Sequence, residues 1–195
     1  MNAIETVQHR GHTINVYYDE DPLNPREDDN FGKMLCFHSK YNLGDANDLG
    51  ISPDDFDGWD EMEDYIRKEH DAAIVLPLAL YDHGGITMYV GDPTCRFDSG
   101  RVGLIYCTRA SIRRCYMRKR ISAKLLQRAE QGLRNDVEIY DKFLRGEVYG
   151  YTVEGPNCDD SCWGFFGRDY LIEDAKSNID YSVRQLELFG VEVAS

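Results

Sequence analysis

The sequence predicts a single α+β domain, in which a mostly antiparallel sheet of about six to eight strands carries two long helices. Two observations lead to this class. Short apolar runs follow one another with tight turns between them, which favours antiparallel neighbours. Two longer segments in the second half of the chain place apolar residues three and four positions apart, which is typical of helices that cover a sheet. A chain of 195 residues is most simply one domain, spanning residues 1–195.

The chain begins with a predicted hairpin and an acidic loop. Ile4–Arg10 and His12–Tyr18 are strands of alternating apolar and polar residues, joined by a tight Arg-Gly turn. Asp19–Asn30 is an exposed loop, because consecutive acids and two prolines end regular strand pairing. Lys33–His38 then contains a continuous apolar run, Met-Leu-Cys-Phe, which predicts a strand at the centre of the sheet.

Further strands are predicted where apolar runs lie between turn residues. The longest is Ala72–Tyr81, which is rich in aliphatic residues and contains Pro77. A proline lacks the N–H that a strand ladder needs, so this position implies a bulge or a sheet edge. The remaining predicted strands are Gly85–Val90, Arg101–Thr108, Val148–Glu154 and Cys162–Gly167.

Three helices have recognisable ends. Ser52 followed by proline is a start signal for a short helix that extends to Glu69 and that Gly58 can interrupt. Ser122 caps the longest helix, which Gly146 ends. The last helix ends at Gly190 and buries a stripe formed by Leu171, Ala175, Ile179, Val183 and Leu186.

Composition excludes several classes of protein. No apolar run approaches the roughly 20 residues that span a bilayer, and the N-terminal residues lack the pattern of a signal peptide, so we expect a cytoplasmic protein. The six cysteines include no CxxC pair, which suits reduced thiols. Cys158 and Cys162 supply at most two zinc ligands, and no cofactor motif is present. We therefore expect neither a metal nor a cofactor.

The charges are segregated along the chain. Residues 1–75 hold 18 Asp and Glu against 6 Lys and Arg, a net charge of −12, whereas the remaining residues are almost neutral. Residues 109–128 hold eight basic residues and no acid. The sequence therefore predicts an acidic face and a separate basic patch, Arg109–Arg128.

The acidic residues are the predicted binding surface for a partner protein. A surface rich in carboxylates can imitate the phosphates of a nucleic acid and occupy a basic channel in another protein. The residues that form this predicted surface are Asp19, Glu20, Asp21, Glu27, Asp28, Asp29, Asp54, Asp55 and Asp57.

Two alternatives remain open. The basic patch predicts nucleic-acid binding through phosphate contacts, with Tyr116 as a stacking partner; its core residues are Arg113, Arg114, Arg118, Lys119 and Lys124. An enzyme of the hydrolase type is the other alternative, since histidines and carboxylates in loops supply general acids and bases if they meet in space. Its candidate residues are His38, Asp45, Asp82 and His83.

Four stretches carry a resemblance to known sequences. They are Tyr18–Asp45 (YDEDPLNPREDDNFGKMLCFHSKYNLGD), Leu76–Thr87 (LPLALYDHGGIT), the segment DSGRVGLIY from Asp98 and the segment SCWGFFG from Ser161. On these stretches the chain resembles a family of largely uncharacterised proteins of bacteriophages and other mobile elements. Where that family commonly has a tryptophan, this chain has Asp28 ahead of Asp29-Asn30.

The resemblance implies a phage or mobile-element origin and implies no known active site. Together with the acidic surface it leads to our first hypothesis, a phage accessory protein that acts by binding a host protein. The partner would be a nuclease of a nucleic-acid-directed defence in the host cytoplasm, so the protein would be of the anti-restriction or anti-CRISPR type.

Overall fold

The computed structural model describes residues 2–27, 30–95, 97–156 and 159–188. The α+β class is confirmed, because these residues form eight strands, all paired antiparallel, and four α-helices. The strands are β1 (Glu5–His9), β2 (His12–Tyr18), β3 (Lys33–Cys36), β4 (Ala72–Asp82), β5 (Ile86–Val90), β6 (Ser99–Thr108), β7 (Val148–Glu154) and β8 (Asp160–Phe166). The helices are α1 (Trp59–Glu69), α2 (Arg109–Tyr116), α3 (Ala123–Leu144) and α4 (Leu171–Leu188).

The strands form two four-stranded sheets, where the sequence predicted one. Each sheet belongs to its own compact unit. Unit 1 consists of Met1–Leu23 and Gly146–Ser195, and unit 2 of Asn24–Arg145, so unit 2 is inserted into the chain of unit 1. The sequence predicts a single domain that spans residues 1–195, and this stays a prediction.

Unit 1 is a sheet covered on one face by a helix. Its strand order is β1-β2-β7-β8. The predicted hairpin is present, and both turn residues, Arg10 and Gly11, have the positive φ angles that a two-residue hairpin turn requires. Helix α4 lies against the sheet, and four residues of the predicted stripe, Leu171, Ala175, Ile179 and Val183, are buried there. The fifth, Leu186, is only partly buried. The predicted stop at Gly190 lies outside the described residues.

Unit 2 has helices on both faces of its sheet, whose strand order is β3-β6-β4-β5. Alternate strand residues face opposite sides. Met34 and Ile105 pack in one core with Leu133 of α3. Leu35 and Leu104 pack in a second core with Met62 and Ile66 of α1. Because both faces of this sheet are buried, the sequences of its strands are continuous apolar runs.

Strand β3 lies at the edge of the sheet, so the prediction of a central strand was wrong. Both faces of β3 are buried, and this double burial gives the apolar run that suggested a central position. The outer edge is covered by a neighbouring chain segment instead of a strand: the Asp45 N–H donates to the Met34 carbonyl over 2.8 Å, and Leu35 forms a bridge with Gly44. An edge covered in this way cannot pair with another chain.

Pro77 lies at the end of the β4–β5 ladder: its carbonyl accepts the Gly91 N–H over 3.0 Å, and the first paired residues are Leu78 and Val90. The missing N–H therefore falls at the end of that ladder and interrupts no pair within it. A register shift between Leu78 and Ala79 follows at once, in agreement with the predicted bulge.

The helix starts in unit 2 follow their sequence signals. Ser52 caps a 3-10 turn at Pro53–Asp55, and the chain resumes as α1 only after Gly58, which has φ +95°. Ser122 caps α3 by accepting the Leu125 N–H over 3.2 Å. No helix in the described part of the chain is long and apolar enough to cross a membrane.

The close approach of β3 and β6 depends on Gly103. A Cβ atom at this position would overlap the Leu35 carbonyl of β3, which is backbone and has little room to move. Gly100, three residues earlier in the same strand, has open space around it.

We expect Gly103→Ala to lower the free energy of unfolding by about 3 kcal/mol, because β3 must separate from β6 to admit the methyl group. The matched change Gly100→Ala should alter it by less than about 0.5 kcal/mol. Urea unfolding followed by circular dichroism measures both. Equal stability of the two variants would contradict this description of the β3–β6 interface.

Candidate functional site

Unit 2 brings part of the predicted catalytic set together. His38 and Asp82 line one pocket of about 350 Å³, together with Lys40, Asp98 and Arg101. His83 lies beside it, with Nδ1 3.7 Å from Asp98 Oδ1. Hence three of the four predicted residues, all but Asp45, lie in or next to the same pocket.

The hydrogen bonds of His38 fix its tautomer. Its Nδ1 accepts the backbone N–H groups of Lys40 and Tyr41 over 3.2 and 3.3 Å, so the ring proton of neutral His38 is on Nε2. The imidazole also stacks on the Tyr41 ring with centroids 4.9 Å apart. The Tyr41 hydroxyl donates to Asp82 over 3.4 Å. His38 is therefore held as a hydrogen-bond donor to the pocket, and the hydrolase-type reaction stays a prediction.

Arg101 is the most constrained cation of this pocket. Its guanidinium donates to Glu63 and lies over the Trp59 ring, 5.1 Å from the centroid. The pairing with Glu63 and the stacking on Trp59 hold the guanidinium in place, and its Nε–H is buried without a hydrogen-bond partner among the described residues. The exposed ammonium of Lys40, 3.8 Å from Asp82, is more accessible.

Asp45 lies elsewhere, in a buried network around Arg26. The Arg26 side chain is 2% exposed and donates to both Asp45 oxygens over 2.8 Å, in a bidentate pair. Arg26 Nη2 also donates to the Gly32 carbonyl over 2.6 Å. Asp45 Oδ2 accepts the Met34 N–H over 2.8 Å as well. The Asp45 carboxylate is thus occupied by structural hydrogen bonds and is not part of the histidine pocket.

A second carboxylate completes this network. Asp136 of α3 lies with Oδ2 4.0 Å from Arg26 Nη1. Burial raises the pKa of Asp136 above its usual range, and the positive charge of Arg26 works against that rise. The network therefore connects the loop before β3, the segment after it and helix α3.

Two cysteines of unit 2 are structural. Burial, with a smaller contribution from the Asp45 charge, raises the pKa of the Cys36 thiol to about 12. Burial likewise raises the pKa of Cys107 to about 12. A thiol of such a pKa is protonated at neutral pH and is not an activated nucleophile. Among the described residues, no group of three or more His, Cys, Asp and Glu side chains is arranged to hold a metal ion.

Part of the predicted basic patch surrounds a second pocket, which we call the basic pocket. Its volume is about 430 Å³, and its cations are Arg109, Arg113, Lys119 and Arg120. Helix α2 carries the first two. Met117, in the left-handed conformation with φ +50°, ends α2 and turns the chain. The turn brings Lys119 and Arg120 to the pocket that Arg109 and Arg113 also line.

The basic pocket is short of counter-charges. Arg109 forms an ion pair with Asp71. Arg113, Lys119 and Arg120 form no ion pair with a described residue. Like charges that share a pocket repel one another, and an anionic ligand would relieve the repulsion.

The other predicted basic residues are divided. Arg114 lines a different cavity, beside Asp45. Arg118 and Lys124 are exposed and do not line the basic pocket. Tyr116 is already engaged: its ring meets Phe31 edge to face, and the Arg128 guanidinium lies over it, 5.3 Å from the centroid.

The predicted acidic residues fall into both units. Asp19, Glu20 and Asp21 belong to unit 1, whereas Glu27, Asp54, Asp55 and Asp57 belong to unit 2. Asp28 and Asp29 lie outside the described residues. In unit 2, residues 54–64 hold seven acids and no base. Of these seven, only Glu63 forms an ion pair with a described residue, through Arg67 and Arg101. We call residues 54–64 the acidic segment.

Sequence reasoning missed Arg26 and placed it in an exposed loop. A lone arginine among consecutive acids gives no local signal of burial. Asp136 did carry a signal: it lies three residues after Leu133 and four before Tyr140, so it falls on the buried stripe of α3. A carboxylate on a buried stripe usually has a cationic partner.

Comparison with known proteins gives no relative for this chain. No family model, no curated protein and no solved structure matches it.

We expect Arg26→Met to lower the free energy of unfolding by about 3–5 kcal/mol, because it leaves the Asp45 carboxylate buried without its partner. The control is Arg134→Met, which breaks an exposed pair with Glu130 and should cost less than about 0.5 kcal/mol. Chemical denaturation measures both. A cost for Arg26→Met as small as that for Arg134→Met would contradict a structural role for the buried pair.

Proposed function

We propose that this protein acts by binding, and that the basic pocket of unit 2 binds the phosphates of a nucleic acid. The observation that supports the proposal is the concave group of four cations, three of which have no ion-pair partner among the described residues. Phosphate contacts by arginine and lysine supply most of the affinity in sequence-independent binding of nucleic acids.

The net charge of the whole chain, −13, opposes this binding only at long range. At physiological ionic strength the Debye length is about 8 Å, so charges farther away than this are largely screened. Within unit 2 the balance is also less negative than in unit 1, with 21 Asp and Glu against 18 Lys and Arg. The local field in the basic pocket therefore decides whether an anion binds.

The contacts of Tyr116 within the protein determine whether it can stack on a base. Arg128 covers one face of the Tyr116 ring, and Phe31 contacts the ring at right angles, so a base would have to compete with these contacts to stack on it. Phosphate contacts without base contacts carry no sequence information. We therefore propose binding that is independent of nucleic-acid sequence.

A second candidate function is the inhibition of a host defence nuclease, and the acidic segment favours it. Its six carboxylates without an ion-pair partner among the described residues lie within eleven consecutive positions, which cover a 3-10 turn, the link after it and the first six residues of α1. Such a surface would compete with DNA for a basic channel. In this version the protein is a phage or mobile-element accessory protein of the anti-restriction or anti-CRISPR type, acting in the host cytoplasm.

Nucleic-acid binding through the basic pocket should be weak and steeply dependent on salt. With about three phosphates contacted, we expect a slope of roughly −2 for the logarithm of affinity against the logarithm of salt concentration on single strands. Lys119→Glu should weaken binding about tenfold and make the slope less negative by roughly 1. Fluorescence anisotropy with labelled 20-nucleotide DNA and RNA at 20–200 mM salt measures both quantities.

The control for this measurement is Lys68→Glu, which makes the same change in net charge at an exposed lysine outside the basic pocket. It should leave the affinity within about twofold of the original, since Lys68 does not line the pocket and makes no direct phosphate contact there. Equal losses in Lys119→Glu and Lys68→Glu, or no binding by the unaltered protein at 20 mM salt, would refute the proposed site.

Inhibition by the acidic segment predicts a different pattern. The protein should inhibit DNA cleavage by a restriction endonuclease or an RNA-guided CRISPR nuclease, in competition with DNA and less strongly at high salt. Replacing Asp54, Asp57, Asp60 and Asp64 by Asn should raise the half-inhibitory concentration at least about tenfold. Replacing Glu130, Glu138, Glu154 and Glu187 by Gln makes the same net-charge change and should not. Inhibition that excess DNA leaves unchanged would refute the mimicry.

A further inference from the structure

The face of the unit 1 sheet that points away from α4 has an unusual composition. Alternate residues of these strands face α4, among them Val7, Ile14, Val16, Tyr151 and Val153. The residues between them lie on the opposite face. They are Thr6, Gln8, Thr13, Asn15, Tyr17, Val148, Gly150, Thr152, Glu154, Ser161, Trp163 and Phe166. Val148 is buried, and none of the others belongs to a hydrophobic core of the described structure.

Two aromatic rings form one row across this face. Tyr17 pairs with Gly150 in the β2–β7 ladder, and the Trp163 indole occupies the space where a side chain at Gly150 would lie. The centroids of Tyr17 and Trp163 are 6.1 Å apart, and their planes are inclined by only 32°. The glycine therefore lets the indole rest on the sheet beside the tyrosine, and Trp163 is still 41% exposed.

A row of four polar side chains runs parallel to the aromatic row. The ladder pairs Thr6 with Asn15, Asn15 with Thr152 and Thr152 with Ser161. Residues two apart on a strand are about 7 Å apart, so the two rows are within reach of one small cyclic ligand. The Thr152 hydroxyl is buried without a hydrogen-bond partner among the described residues, although buried hydroxyls nearly always have one.

The charges of unit 1 restrict the class of ligand. One acid lies at the end of this face, Glu154, which the β2–β7 ladder pairs with Thr13, and no lysine, arginine or histidine of the four strands lies on it. Unit 1 as a whole holds 14 Asp and Glu against 4 Lys and Arg. Stacking platforms for nucleic acids combine aromatic rings with a positively charged groove, and here that groove is missing. A polyanion is therefore disfavoured, and a neutral ligand is favoured.

We infer that this face binds a neutral oligosaccharide. The apolar face of a sugar ring stacks on Tyr17 and Trp163, which supply rigid apolar area with a polar edge. The sugar hydroxyls, which both donate and accept, match the amide of Asn15 and the hydroxyls of Thr6 and Ser161. This site is independent of the basic pocket, because every residue in it belongs to unit 1.

Tryptophan fluorescence tests this inference directly. The chain has two tryptophans, so Trp59→Phe leaves Trp163 as the only reporter in the full-length protein. The probes are cellopentaose, maltopentaose and chitopentaose. We expect a saturable change in emission with at least one of them, with a dissociation constant of about 1 mM or lower.

Three variants in the Trp59→Phe background separate the contacts. Tyr17→Ala removes half of the aromatic row and should weaken binding at least about tenfold. Asn15→Ala leaves both rings in place and should weaken it about threefold or more. Tyr170→Ala removes an exposed tyrosine outside the sheet and should change nothing.

Four results would overturn the inference. The first is that no probe gives a saturable response at 10 mM, and the second is that Tyr17→Ala binds as tightly as the Trp59→Phe parent. The third is that the protein responds to oligo(dT) instead of the sugars. The fourth is that sedimentation shows a dimer that Trp163→Ala converts to a monomer. The third result would make the face a nucleic-acid platform, and the fourth would make it an interface between two copies of the chain.

Discussion

The buried pair of Arg26 and Asp45 is the interaction on which the architecture of unit 2 depends. Burying two opposite charges costs on the order of several kcal/mol unless their pairing geometry is favourable and their remaining donors and acceptors also form hydrogen bonds. Both conditions are met, since the pair is bidentate and each partner also bonds to the backbone around β3. The pair therefore fixes the loop before β3 and the segment after it to the same strand edge.

Fixing these segments has consequences on both sides of β3. The segment after the strand closes an edge that would otherwise present unpaired backbone groups. The Tyr140 hydroxyl of α3 accepts the Gly44 N–H over 3.0 Å, so the same segment is also tied to the long helix. The pockets of unit 2 are lined by residues of the strands and helices that pack around β3. Because Arg26 fixes the segments on either side of β3, it also helps to fix the side chains that line these pockets.

Much of the local structure could be predicted from the sequence, because its causes are local. The Arg10-Gly11 turn, the Ser122 cap and the stripe of α4 each depend on residues within a few positions of one another. The division into two sheets could not be predicted in the same way. It depends on which strands pair in the folded molecule, and β2 pairs with β7, which lies far from it in the sequence.

The candidate sites show the same limit. His38 and Asp82 were identified by residue type, and only the pairing of both β3 and β4 with β6 brings them to one pocket. The cations of the basic pocket are close in sequence, so their convergence was predictable from a short helix and a turn. The platform on unit 1 was not foreseen, because Tyr17, Gly150 and Trp163 become neighbours only across three strands.

The insertion of unit 2 between paired strands has a consequence for the order of folding. Tyr18 of β2 pairs with Tyr149 of β7, so the sheet of unit 1 closes a chain segment of about 130 residues, at an entropic cost of roughly 4 kcal/mol if that segment is unfolded. Once unit 2 is compact, most of that entropy has already been lost in its own formation. We therefore expect the β2–β7 ladder to form after the inserted unit, since contacts between residues far apart in sequence are costly while the segment between them is unfolded.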